Sequence, residues 1–287
     1  MSFSDMFIGV IDHIENTGEE SKPRDLKVKE TVLANITIDP LDCIANFKDR
    51  PFNWKYLSGE LSWYLKKDRD VSYIGKFSNF WNRITNPGTN EINSNYGHLV
   101  LNEQLVWVVN SLKSDKNSRQ AIMFFNRPEY QFDGNKDFVC TMYANFFIRD
   151  NQLHMKVQMR SNDIFYGLTF DAPFFSFLHQ SVFLILKDQY PDLELGWYFH
   201  FADNLHFYER HFELSEEIKE NGTLEDHTFI LLDKFVDIVE GQVVFTPTAE
   251  RYIREVEKIS NSEAHSSQEN YKHLLSEYFE LDGYGDS

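Results

Sequence analysis

From Asp137 to Arg160 the chain reads as two extended runs, FVCTMYANFFIR and QLHMKVQMR, joined at Asp150-Asn151, a dipeptide suited to a tight turn. The pattern predicts a β-hairpin. Ala172 to Lys187 carries apolar residues on nearly every side, which predicts a helix buried in the middle of the fold. A second helix is expected over Leu99–Leu112, a strand over Gln120–Phe125, and a further strand over Leu193–Phe201 before a short helix around His206–Phe212. The class is therefore α+β, and no internal repeat is visible. After Leu214, Glu and Lys crowd SEEIKENGTLEDH and, further on, ISNSEAHSSQENYKH. Residues 215–287 thus read as a divergent acidic C-terminal region, either peripheral elements of the same domain or an appended interaction segment. The last residues, LDGYGDS, are expected to fray.

A chain of 287 residues with 42% hydrophobic residues can bury a sizeable core, and one large domain over 1–287 is the expectation. The 26 Phe and 14 Tyr suit a site that stacks flat rings. A formal charge of −17 without a basic run argues against a nucleic-acid partner. Met1–Gly18 lacks a basic start followed by an apolar stretch, and the apolar segment Phe174–Leu186 is interrupted by His179 and Gln180. A cytoplasmic protein without a membrane span is expected. Cys43 and Cys140 are too few for a disulfide framework or a thiolate metal cluster, so no metal is expected.

Cys140 sits within a strand pattern, where a lone cysteine is more often a buried small hydrophobe than a nucleophile. Further on, Met159-Arg160-Ser161-Asn162-Asp163 crowds an arginine, a hydroxyl and a carboxylate at a strand end. This segment reads equally as a solvated turn or as a phosphate monoester site, since a guanidinium binds two phosphate oxygens at once.

The order of the pieces carries a resemblance. Cys140, then Arg160–Asp163, then Gly167-Leu168-Thr169-Phe170-Asp171, then Leu205-His206-Phe207-Tyr208 resembles thymidylate synthase, whose nucleophile, RS-x-D, G-L-x-F-N and H-x-Y motifs come in that order. Upstream, Gly59-Glu60-Leu61-Ser62-Trp63-Tyr64-Leu65 is similar to the glutamate-bearing helix of that superfamily, and Asn95-Tyr96-Gly97 to its tyrosine-glycine turn. Within the superfamily, three stretches resemble the phage deoxycytidylate hydroxymethylases: Glu91–Gly97, Arg127–Asp137 and Phe138–Thr141. Thr141 stands where the synthase usually has histidine.

The resemblance implies a thymidylate synthase-like fold, with a large mixed β-sheet packed against helices and one sheet face forming a homodimer interface. It implies folate-dependent 5-hydroxymethylation of dCMP, with 5,10-methylenetetrahydrofolate as the one-carbon donor, a host cytoplasm during phage infection as the setting, and a phage nucleotide-synthesis complex as a possible assembly. Residue by residue it makes Cys140 the nucleophile that adds to C6. Glu60 polarises a water and moves protons, and Tyr96 assists proton removal at C5. Arg160 and Ser161 bind phosphate, joined by Arg119 from the partner subunit. His206 and Tyr208 hold the sugar hydroxyl, Asp163 meets the pterin, and Asn162 and Trp81 line the base and folate faces. Arg160 is expected to lower the Cys140 pKa.

Asp171 replaces the synthase's asparagine. A protonated carboxylic acid donates to N3 of cytosine and accepts from its amino group, the inverse of what uracil requires. Asp171 is therefore the expected specificity residue, against the alternative of a helix N-cap ahead of Ala172. Departures from the synthase are a single arginine in Arg119-Gln120, an N-terminal phosphate loop with only Arg24 or Lys27 as candidates, and divergence after His211. A pyrimidine nucleotide C5-methyltransferase, a dUMP hydroxymethylase or thymidylate synthase, and an inactive nucleotide-binding homologue stay open as alternatives.

Overall fold

The computed structural model describes residues 1–262 and 265–281. Its main sheet uses β1 (Glu19–Ser21), β2 (Val28–Ile38), β3 (Ile122–Phe124), β4 (Thr141–Arg149), β5 (Gln152–Met159), β6 (Asn162–Asp163) and β7 (Glu194–Tyr208). The strand order is β1-β2-β7-β5-β4-β3, with β6 pairing β7. β5 and β6 run parallel to β7 and the other pairs are antiparallel, so the sheet is mixed. The hairpin forms as expected: Arg149 pairs with Gln152, and Asp150 and Asn151 both take positive φ, 50° and 62°. Two consecutive left-handed residues give a two-residue turn whose twist matches that of the strands.

The helices are α1 (Phe3–Thr17), α2 (Trp54–Lys66), α3 (Val71–Ile74), α4 (Phe80–Ile84), α5 (Tyr96–Val100), α6 (Glu103–Ser114), α7 (Thr169–Lys187), α8 (Phe212–Asn221), α9 (Pro247–Ser260) and α10 (Gln268–Ser276). α7 is the buried helix, with Phe174, Phe175, Phe177, Leu178 and Val182 inside. Each such side chain contributes roughly 1.5–3 kcal/mol by burial. Among the described residues, Ile164–Lys187 is long and apolar enough to cross a membrane, and here that stretch is the interior of the fold. Its two polar interruptions bond backbone: His179 Nε2 meets Leu153 O at 2.8 Å, its Nδ1 being buried without a partner among the described residues, and Gln180 bonds Pro40 O, Phe229 O and Leu231 N.

Two sequence expectations need correction. The run Leu99–Leu112 is two helices, because Asn102 leaves the helical region (φ −150°, ψ −148°) and caps α6 through Gln104 N at 3.0 Å. The strand expected to stop at Phe201 continues to Tyr208, since β2 pairs along it from Val28↔Tyr208 to Ile38↔Tyr198. His206–Tyr208 are thus strand residues, followed by a 3-10 turn at Glu209–His211 and α8. In the acidic C-terminal region, α9 and α10 lie on α2: Tyr252 OH donates to Ser58 O at 3.1 Å, and Lys66 pairs with Glu257 at 2.7 Å. The fraying expected at the terminus lies, past Leu281, outside the described residues.

Candidate active site

Cys140 is half-buried and comes immediately before β4, not inside it. A β-bulge follows at Met142, where the register passes from Thr141↔Met159 to Tyr143↔Gln158. Bulges re-aim side chains, and this one lies beside the strand end where β5 delivers Arg160. The backbone ties the pair together through Arg160 N to Cys140 O at 2.9 Å. The guanidinium bonds Val139 O and Phe138 O, lies over the Phe138 ring at 4.8 Å, and places Nη2 3.5 Å from Cys140 Sγ. Its Nη1 makes no hydrogen bond among the described residues, which leaves a donor for an anion. Burial pushes the Cys140 thiol above its ordinary value, more strongly than Arg160 pulls it down. Arg160 lowers it as expected, and burial outweighs that contribution, so the net shift is a rise. Cys43 is fully buried.

β6 and the turn after it bring the next group together. Asp163 Oδ1 accepts from Phe165 N and Tyr166 N at 2.7 and 2.9 Å, opening a π-helical turn over Ile164–Leu168. Its Oδ2 is buried and has no hydrogen-bond partner among the described residues. An orphaned carboxylate oxygen needs a donor, and the N–H edge of a pterin is one. Asp171 stands in the first turn of α7, where it accepts from Asn162 Nδ2 at 2.6 Å. The helix begins at Thr169 after Leu168, which has no side-chain cap, so Asp171 is not the N-cap. Burial raises the Asp171 pKa to about 6, against the Asn162 bond, which lowers it. Its proton is thus exchangeable near neutral pH.

Glu60 is buried on α2 and held by residues one turn away on either side. Tyr56 OH and Tyr64 OH both donate to its Oε1, at 2.8 and 3.2 Å, and Trp81 Nε1 donates to Tyr56 OH at 3.0 Å. Burial raises the Glu60 pKa to about 8, opposed by the Tyr56 bond and assisted by the charge of Asp171. A carboxyl poised there exchanges a proton readily. Tyr96 stacks on Tyr64 at 5.4 Å, and its hydroxyl accepts from Thr141 Oγ1 at 2.9 Å. Thr141 thus orients the tyrosine.

His206 and Tyr208 are successive residues on one face at the end of β7, with rings 5.3 Å apart. Asp163 pairs with His206 in the β6–β7 ladder. Ser161 follows Arg160, half-buried in the gap between β5 and β6. Of the two phosphate-loop candidates, Lys27 is engaged by Glu20 and Glu209, whereas the charge of Arg24 acts on Cys140, His206 and Tyr208. Arg119 is exposed in the loop between α6 and β3. Sequence reasoning passed over Tyr56 and Tyr64, although their spacing from Glu60 was a signal. It also passed over Tyr198, His200, Arg50 and Arg210. Arg50 bonds Phe165 O and Thr169 Oγ1 across the π-turn, and Arg210 lies over Tyr208 at 4.5 Å. No group of three or more His, Cys, Asp or Glu suited to a metal ion occurs among the described residues.

Residues 5–237 match the family described as thymidylate synthase. The deoxycytidylate 5-hydroxymethyltransferase of Enterobacteria phage T4 is 31% identical over 217 residues, covering 70% of this chain and 87% of that protein. The enzyme of the same name from Enterobacteria phage T2 is 32% identical over 209 residues, 67% of this chain and 83% of its own. A deoxyuridylate hydroxymethyltransferase of Bacillus phage SP01 is 26% identical over 229 residues, 71% of this chain and 56% of that one.

Proposed function

We propose, from the premise that this chain belongs to the thymidylate synthase family, that it hydroxymethylates C5 of dCMP through a covalent bond between Cys140 Sγ and C6. The observation that carries the reading is Asp171: a carboxyl held by Asn162 Nδ2 at 2.6 Å, its proton favoured by burial, where the family's base-reading amide stands. The names of the phage T4 and T2 relatives support the cytosine assignment. The SP01 relative supports the same reaction on a uracil base, and the carboxyl at Asp171 argues against that for this chain.

When bound, 5,10-methylenetetrahydrofolate supplies an electrophilic one-carbon unit, and the unpaired Asp163 Oδ2 is a fitting acceptor for its pterin. Cys140 attacks as the thiolate, formed by loss of the thiol proton to solvent and favoured by the Arg160 guanidinium against burial. As the sulfur bonds to C6, the ring electrons move through C5 and C4 to N3, which takes the Asp171 proton. C5 of the base then bonds the one-carbon unit, and its proton leaves toward the Tyr96 hydroxyl. The base is left with an exocyclic methylene as the bond from the transferred carbon to the folate nitrogen breaks and tetrahydrofolate is released. A water held by the second carboxyl oxygen of Glu60 adds to that methylene as hydroxide, its proton passing to the Glu60 carboxylate. Loss of the Cys140 thiolate from C6, with return of the N3 proton to Asp171, restores the aromatic ring. His206 and Tyr208 fix the sugar, and Arg160 with Ser161 fixes the phosphate, joined by Arg119 from the second subunit of a homodimer. Turnover without oxidation of the folate separates this reaction from methylation: dCMP consumption with no dihydrofolate absorbance supports it, and equimolar dihydrofolate contradicts it.

A further inference from the structure

A hydrogen-bonded chain runs from the core to the carboxyl of Asp171. Tyr198 and His200 are consecutive inward-facing residues of β7, both fully buried. Tyr198 OH is 2.6 Å from His200 Nδ1, His200 Nε2 is 3.1 Å from Asn162 Oδ1, and Asn162 Nδ2 is 2.6 Å from Asp171 Oδ2. Gly167 leaves room for the last contact. A Cβ there would stand 2.5 Å from Asn162 Nδ2 and 3.2 Å from Asp171 Oδ2.

Only one direction of this chain satisfies every hydrogen. Burial holds the His200 pKa down at about 3, so the ring is neutral, with one donor and one acceptor nitrogen. A hydrogen on Nδ1 would point at the Tyr198 oxygen, and the hydroxyl hydrogen of Tyr198 would lack an acceptor, since His200 is its hydrogen-bond partner among the described residues. Nε2 would then have to accept from the amide, turning the Asn162 oxygen onto Asp171. With the hydrogen on Nε2, Tyr198 donates to Nδ1, Nε2 donates to Asn162 Oδ1, and the amide NH2 donates to Asp171.

We propose that Tyr198 and His200 are positioning residues for base recognition. They lock the Asn162 amide with its NH2 on Asp171, which makes Oδ2 an acceptor and leaves Oδ1 as the oxygen that carries the proton presented to the base. This rests on the reading of Asp171 as the base-reading group. A free amide could rotate and let the proton move to Oδ2, so that the donor–acceptor order facing the base would no longer be fixed. The relay thereby converts a symmetric carboxyl into an ordered pair.

The test is the ratio of kcat/KM for dCMP to that for dUMP in Tyr198→Phe, His200→Leu, Asn162→Ala and the His200→Leu/Asn162→Ala double variant, each checked for folding by circular dichroism. Loss of one neutral hydrogen bond predicts a fall in the ratio of about threefold to tenfold in His200→Leu. The double variant should fall no further than Asn162→Ala, because His200 acts through the amide. Nitrogen-15 NMR of the wild type should show the Nε2–H tautomer of His200, and this signature remains decisive if a core variant fails to fold. An Nδ1–H tautomer, an unchanged ratio in folded variants, or additive losses in the double variant would overturn the relay. A wild type that does not prefer dCMP would overturn the reading of Asp171 itself, and the role given to the relay with it.

Discussion

Glu60→Gln should stabilise the folded chain in alkaline solution and leave it almost unchanged in acid. Glu60 is 6% exposed, and burial raises its pKa from 4.5 to about 8. Between those values the unfolded chain has lost a proton that the folded chain retains, so stability falls as pH rises through the interval and the whole penalty is present above about pH 8. Each pH unit of that interval is worth about 1.4 kcal/mol, which makes the ionised Glu60 a burden of a few kcal/mol. Glutamine has the shape of the protonated acid, and its carbonyl oxygen can accept from Tyr56 and Tyr64 as Oε1 does. Asp42 and Asp171, whose pKa values also rise, to about 7 and about 6, titrate in both proteins and largely cancel in the difference. The expected gain in Tm is roughly 5–10 °C at about pH 9 and close to zero at about pH 5. Differential scanning calorimetry at both pH values, at matched ionic strength, measures it. A gain equal at the two values, or a variant less stable in alkali, refutes the burial of an ionisable Glu60. The same variant should lose turnover, because the amide cannot exchange the proton.

Cys140→Ala should abolish product formation while dCMP binding by calorimetry stays within severalfold, and activity that survives there but is lost in Cys43→Ala would reverse the assignment. Asp171→Asn should lower the dCMP-to-dUMP ratio of kcat/KM by about tenfold to more than a hundredfold, since a mismatched buried polar group costs about 1–3 kcal/mol. An unchanged ratio in the folded variant would remove Asp171 from base recognition. Mixing inactive Arg119→Ala chains with inactive Cys140→Ala chains should restore activity in heterodimers, whereas verified heterodimers without activity would argue against a shared site.

What the sequence disclosed follows the range of the forces involved. The Asp150-Asn151 turn and α7 were legible because their determinants are local: two residues tolerant of positive φ, and apolar side chains all round a helix. The length of β7 was not, because its pairing partner β2 lies far upstream in the chain. The break at Asn102 depends on a cap and on a Leu99 carbonyl shared by Asn102, Gln104 and Arg127. In the candidate site, Cys140, Arg160, Asp163 and Asp171 were singled out by the resemblance of their motif order, and Tyr56 and Tyr64 were available from helical spacing. His200 had no local signal. It resembles any inward residue of a strand until Asn162 is folded against it. The lowering of the Cys140 pKa by Arg160 was legible from the motif, whereas the larger rise from burial was not, since burial is a property of the whole fold.

The central claim, hydroxymethyl transfer to dCMP, is tested most directly by mass spectrometry of the nucleotide formed from dCMP and 5,10-methylenetetrahydrofolate by the purified wild-type protein in water enriched in oxygen-18. The product should be heavier by one CH2O, with the heavy oxygen in the new group and tetrahydrofolate as co-product. A product heavier by CH2 alone, with dihydrofolate, would contradict it, as would conversion of dUMP in preference to dCMP.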